Sequence, residues 1–343
     1  MRLCIGTSKG IVIVDPDRAA RPLMVLADPA SVWCLAQDSR DPHLLYAGAI
    51  QNLQAGSARG RSALARSHDG GRNWTDITPG AARDEDVWSI AVPPDRPGEL
   101  IIGTNHARLL RSLNGGQSFR ECAVLRKFPD RERKPSAAGP HPAPVRALSF
   151  APGDSSVIYA GVEDGGVFRS PDGGASFVPL DHAVHTGIHG LAVDPDEPKR
   201  LYVATARGAY RSEDRGASWS YLKGLGRNYA VAILASGTAR GGGVMIAAAG
   251  APPALWPMSL PGADAMVFES LDHGDSFAPY AAPDGIVHPA RGLPMRLLAN
   301  PLDPAVIFGA VSDGSLIRVD RRTATVRTIT ENLPPAYDLA AIP

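Results

Sequence analysis

Ser67-His-Asp69-Gly-Gly71-Arg-Asn-Trp74 decides the fold, because it does not stand alone. The same octet returns as Ser112-Leu-Asn114-Gly-Gly116-Gln-Ser-Phe119 and as Ser170-Pro-Asp172-Gly-Gly174-Ala-Ser-Phe177. It returns again as Ser212-Glu-Asp214-Arg-Gly216-Ala-Ser-Trp219 and Ser270-Leu-Asp272-His-Gly274-Asp-Ser-Phe277. Five copies of S-x-D/N-x-G-x-x-W/F in register are a repeat, and a repeat is read before any single element. The chemistry is that of a hairpin turn. A short Asp or Asn side chain accepts bonds from backbone N–H groups two residues on. Gly supplies a positive φ, Ser bonds locally, and the aromatic opens the next strand and folds back over the turn. A carboxylate that satisfies its own turn is not free for catalysis, so the octet reads as a clip.

Each octet occupies the same place in a longer unit. Between Gly187 and Leu222 the unit runs IHGLAVDP, RLYVAT, GAYRS, SWSYL: four short strands, A to D, with the octet joining C to D. Equivalent units start near Val32, Val87, Val145, Tyr229 and Met295. Four strands per unit and spacings of roughly 40 to 65 residues suit propeller blades. The seventh blade is split. Leu3–Gly6 and Ile11–Val14 read as B and C strands with no A strand before them, and Tyr337-Asp-Leu-Ala-Ala-Ile342-Pro343 reads as an A strand. The expectation is an all-β, seven-bladed β-propeller of four-stranded blades forming one domain over 1–343, closed by the C-terminal strand completing blade 1, which leaves no blade edge open. The blades fall at about 338–343 with 1–27, then 31–77, 86–125, 144–180, 187–222, 227–280 and 295–330. Blades 1 and 7 lack a proper octet.

The octets resemble the Asp-box, or BNR, repeat over nearly the whole chain. Families with that repeat include sialidases and other glycoside hydrolases, the photosystem II assembly factor propellers and sortilin-type receptors. The resemblance implies the fold and says little about activity. Sialidases also carry an Arg within F/Y-R-I-P, which this sequence lacks; Leu293-Pro-Met-Arg296-Leu is not it, so a true sialidase is not expected.

Lys and Arg number 35, as do Asp and Glu. Balanced charge argues against nucleic acid or an anionic membrane as the main partner, since both call for a basic excess. The most apolar run, Val244 to Leu255, is short and interrupted by Gly and Pro, too little to span a bilayer. The start MRLCIGTSKGIVIV shows no signal-peptide pattern. Cys4, Cys34 and Cys122 form no CxxC pair and read as buried free thiols in a reducing cytoplasm.

The topology sorts loops onto two faces: A–B turns and octets on one, D–A connections and B–C loops on the other. Six of nine histidines map to the second face: His106, His141, His182, His185, His189 and His288. Two readings stay open, scattered surface histidines or convergence over the central channel. In the second, His106, His141, His189 and His288 would hold a divalent transition metal, or one imidazole would act as a general base near neutral pH. His185, His189 and Glu163 are the catalytic candidates. Arg146, Arg207 and Arg296 on the same face suit a carboxylate or other anion, with loop solvation and ion pairing as the alternative. The longer loops 126–144 and 250–266, the latter carrying Trp256, lie there too, and Trp256 with Tyr229 could wall a ligand site. The chain therefore reads as a lyase or hydrolase acting on a small polar or anionic molecule at the channel mouth, or else as a non-catalytic binding or assembly platform. Oligomeric state is not legible.

Overall fold

The computed structural model describes residues 1–18, 22–26, 31–50, 63–122, 143–180, 184–185, 187–237, 243–258, 262–282 and 291–343. Among these, seven antiparallel sheets of four strands each form seven blades. The seven A strands pack against one another in ring order: Ala336–Ile342, Ser31–Asp38, Val87–Ala91, Val145–Ala151, Ile188–Val193, Tyr229–Ala235 and Pro294–Asn300. The expected closure is there. Arg2–Thr7 pairs with Ala336–Ile342 from Arg2 opposite Ile342 to Gly6 opposite Asp338. The Arg2 guanidinium also donates to the Pro343 carbonyl at 2.8 and 3.1 Å.

The octets form one repeated clip, with a correction to the expected hydrogen bonds. Ser67 Oγ donates to Asp69 Oδ1 at 2.8 Å and accepts the N–H of Asp69, two residues on, and of Gly71. Asp69 Oδ1 instead accepts from Arg72 and Asn73, three and four residues on. The serine thus makes the short-range bond and the carboxylate spans the whole turn. Trp74 Nε1 donates to Gly71 O at 2.9 Å, folding the indole over the turn. The N–H of Asn73, with other donors, holds the Asp69 carboxyl down at about 2, as expected for a carboxylate fixed by several donors. The five blades with octets end in two-residue D strands. Blades 1 and 7 have longer ones, Leu23–Leu26 and Thr325–Thr330.

Blades pack closely because of glycine in the B strands. A Cβ on Gly103 would lie 2.6 Å from Val145 Cβ of the next blade and would overlap Ser89 Oγ. Ser89 Oγ donates to Val145 O at 2.7 Å, so the seam between blades 3 and 4 is tied there. Gly48 has the same relation to Val87, with a would-be Cβ 2.7 Å from Val87 Cγ1. Gly103→Ala should therefore destabilise by about 1–3 kcal/mol through overpacking, read as a lower urea midpoint with unchanged m. An unchanged midpoint would show that the seam yields freely. Among the described residues no helix is long and apolar enough to cross a membrane. All three cysteines are buried and free.

Candidate functional site

Every A strand carries a β-bulge near its start, where two of its residues face one of the B strand. The extra residues are Trp33, Trp88 and Arg146 in blades 2 to 4. In blades 5 to 7 they are His189, Val231 and Met295, and in blade 1 Tyr337. A bulge re-aims a side chain. Here it aims all seven at one cavity of about 140 Å³ in the channel mouth. The bulges lie beside the B–C ends, on the face opposite the octets. Two residues further along the same strands, Leu35, Ile90, Leu148, Leu191 and Ile233 form an apolar layer beneath the ring.

The aromatic side is a stack. Tyr337 lies on Trp33 at 4.2 Å between ring centroids, and Trp33 tilts against Trp88 at 5.0 Å. The Arg146 guanidinium covers both indoles, 4.9 Å from Trp88 and 5.3 Å from Trp33, within cation–π range. Glu163, on the blade 4 B–C loop, holds Arg146 through Nη1 at 3.3 Å. Trp88 Nε1 donates to Asn105 Oδ1 at 2.5 Å, and Asn105 Nδ2 donates to Asp86.

His189 is buried, with Nδ1 2.8 Å from Ala230 O. A carbonyl partner requires Nδ1–H, so Nε2 is the acceptor. Burial, then the Arg146 charge, push its pKa down to about 3. Tyr229 packs on its ring at 4.7 Å and is pushed up to about 12 by burial. Arg296 and Asp338 follow the bulges of neighbouring blades 7 and 1, with Arg296 Nε 3.3 Å from Asp338 Oδ1. The Asp338 oxygens accept N–H bonds from Leu35 and Leu339, both at 2.8 Å. Burial still raises the Asp338 carboxyl above its ordinary value, against the opposing Arg296 charge.

Of the residues expected from sequence, Arg146, His189 and Arg296 line the mouth and Glu163 adjoins it through Arg146. His185 and Arg207 are not among its lining residues. His185 Nδ1 accepts the Gly187 N–H at 3.1 Å, and burial followed by the Arg207 charge lowers its pKa. His106 is exposed in a turn with φ of 59°. It sits next to Asn105, so that turn serves to fix Trp88. His141, His182, His288, loop residues 126–142 and the Trp256 side chain lie outside the described residues. Among the described residues no three His, Cys, Asp or Glu side chains are grouped to hold a metal ion. Sequence reading missed Trp33, Trp88 and Tyr337. The signal was the column they share with Arg146 and His189, one residue after the first apolar residue of each A strand. A larger cavity, about 540 Å³, lies between blades 6 and 7, walled by Val267, Tyr280, Ile317 and Val326. None of the predicted site residues among the described residues lines it.

No family model matches the chain. A xyloglucanase of a Paenibacillus species is 29% identical over 185 residues, which are 51% of this chain and 16% of that protein. The GH74 enzyme of Niastella koreensis superimposes with a TM-score of 0.70 at 19% identity, over 95% of this chain and 51% of that one. YCF48 bound to a D1 peptide superimposes with a TM-score of 0.56 at 14% identity, over 88% of this chain and 83% of that one. The chain thus spans a small part of the curated relative and about half of the GH74 enzyme. At these identities the likeness shows the fold: a seven-bladed propeller of the kind found in both the GH74 enzyme and YCF48.

Proposed function

We propose that the protein acts on carbohydrate, taking a saccharide unit into the channel mouth and hydrolysing a glycosidic bond there. The observation that carries this reading is the bulged ring, which turns Trp33, Trp88 and Tyr337 toward one cavity. Tyr337 stacks on Trp33 and Arg146 covers both indoles, so it is the remaining exposed apolar and π surface of this cluster that would meet the C–H face of a sugar. Arg146 and the His189 Nε2 supply a hydrogen-bond donor and an acceptor for hydroxyl groups. The likeness to a xyloglucanase and to a GH74 enzyme supports the same substrate class.

Glycoside hydrolysis uses two carboxyl groups flanking the bond, one donating a proton and one activating water or attacking. One, Asp338 of blade 1, lines this mouth, and a second, Glu163 of blade 4, adjoins it through Arg146. Burial raises the Asp338 carboxyl above its ordinary value, the direction a proton donor needs. Glu163 is partly exposed beside Arg146 and suits the base. With xyloglucan or cello-oligosaccharides as substrate, Glu163→Gln should cut reducing-sugar release about 100-fold or more while the oligosaccharide still binds. Release at the wild-type rate would remove Glu163 from the reaction.

A second reading is a peptide-binding assembly platform. One observation favours it: the YCF48 match covers 83% of that chain, so a single propeller suffices there, whereas the GH74 enzyme is about twice as long as the matched region. Failure of every saccharide to bind, with binding of a peptide bearing a free carboxyl terminus, would decide for it.

A further inference from the structure

Arg296 differs from the other cation at the mouth. Arg146 is 14% exposed, spread over two indoles and held by Glu163. Arg296 is 52% exposed and is tethered by its Nε edge to Asp338. Asp338 is itself fixed by two backbone N–H groups, so the tether is rigid at its base. A guanidinium has five N–H donors in a planar fork; anchoring through Nε orients the Nη edge. Such an edge meets a carboxylate through two parallel hydrogen bonds. The charges lining the cavity have the matching sign: two guanidiniums outnumber the one carboxyl, Asp338, whether or not it carries its proton. The cavity is also small. About 140 Å³ is well below the roughly 300 Å³ at which pockets for whole small molecules begin. The layer beneath the ring is Leu and Ile, with no side-chain polar group to greet a chain threading inward.

We propose that the mouth selects the acidic end of a saccharide, a terminal uronate, whose ring lies against the Trp33–Trp88 side and whose carboxylate is bound by Arg296. This rests on the reading that the mouth takes a saccharide, and it narrows the class from neutral sugar to a carboxylate-bearing ring. It also gives Arg296 a role that its ion pair alone does not. Half of the Arg296 side chain stays exposed beyond that pair.

The test is calorimetric titration of the whole chain with glucuronate, galacturonate, their neutral parents glucose and galactose, and the methyl ester of glucuronate. The uronates should bind about tenfold or more tightly than the neutral sugars and the ester, the scale of one charge-assisted bidentate contact. Arg296→Gln should abolish that preference and leave neutral-sugar binding in place. Arg296→Lys, which keeps the charge without the fork, should retain part of it. Equal binding of acid and ester by the wild type overturns the proposal, whatever the fate of the variants, and leaves the saccharide reading standing. A preference that survives Arg296→Gln in a variant with the wild-type melting temperature overturns it too. If none of the sugars binds, both readings fall. A carboxyl-terminal peptide bound more tightly than the uronates would assign Arg296 to a peptide instead.

Discussion

A chain ending at Tyr337 should fail to fold cooperatively. Residues Asp338 to Pro343 carry most of the innermost strand of blade 1, and without it Arg2–Gly6 lose their ladder partners. Leu339 and Ile342 are 2% and 1% exposed. Burial of such a side chain contributes about 1.5–3 kcal/mol, so the two together supply roughly 3–6 kcal/mol. Loss of Asp338 also removes the acceptor that ties blade 1 to Leu35 of blade 2. Against a typical total of about 5–15 kcal/mol, this is a large share. The expected result in a circular-dichroism melt is loss of the cooperative transition, or a Tm lower by about 6–24 °C on the usual scale of about 2–4 °C per kcal/mol for a large domain. Rescue is also expected. Arg2 reaches the Pro343 carbonyl at 2.8 Å, so residues 336–343 joined ahead of Met1 by a short glycine linker should restore the transition. A truncated chain with an unchanged Tm would show that the closing strand is dispensable.

The second large effect is expected at the mouth. Trp33→Ala combined with Trp88→Ala should weaken saccharide binding about 5-fold or more, with a secondary-structure signal like that of the wild type. Each indole contributes stacking of about 0.5–1.5 kcal/mol to a ring lying against it, and two together span roughly 5- to 150-fold in affinity. Both rings are only half-buried, and neither is among the fully buried core residues of its blade, so the cost to folding should be modest. The pair also supports Arg146, which sits over both rings. The double variant therefore removes the apolar face and loosens the cation at once, and its effect should exceed that of either single change. Affinity retained within threefold would mean that the indoles plug the channel and do not meet the ligand.

The fold was legible because its signal is local and repeated. Each octet writes its own turn, since the Ser67 and Asp69 side chains bond within the octet, and five copies in register place the four strands around them. The split first blade could be read because Tyr337–Ile342 has the alternation of an A strand with no partner after it. The site was legible only in part. Arg146, His189, Arg296 and Glu163 stood out as charged or titratable residues on the face that carries the channel mouth. Trp33, Trp88 and Tyr337 did not, because an aromatic in a strand reads as core. What sends them to the mouth is the bulge, and a bulge reverses the alternation that sequence reading depends on. His106 was misjudged for a related reason: its turn takes a left-handed conformation that leaves the ring exposed, and nothing in Thr104-Asn-His106-Ala-Arg108 announces it.

The most direct measurement is a crystal structure of the protein soaked with a glucuronate-terminated oligosaccharide. Sugar density is expected in the channel mouth, one ring face against Trp33 or Trp88 and its carboxylate at Arg296. Density in the cleft between blades 6 and 7, with the mouth empty, would contradict it.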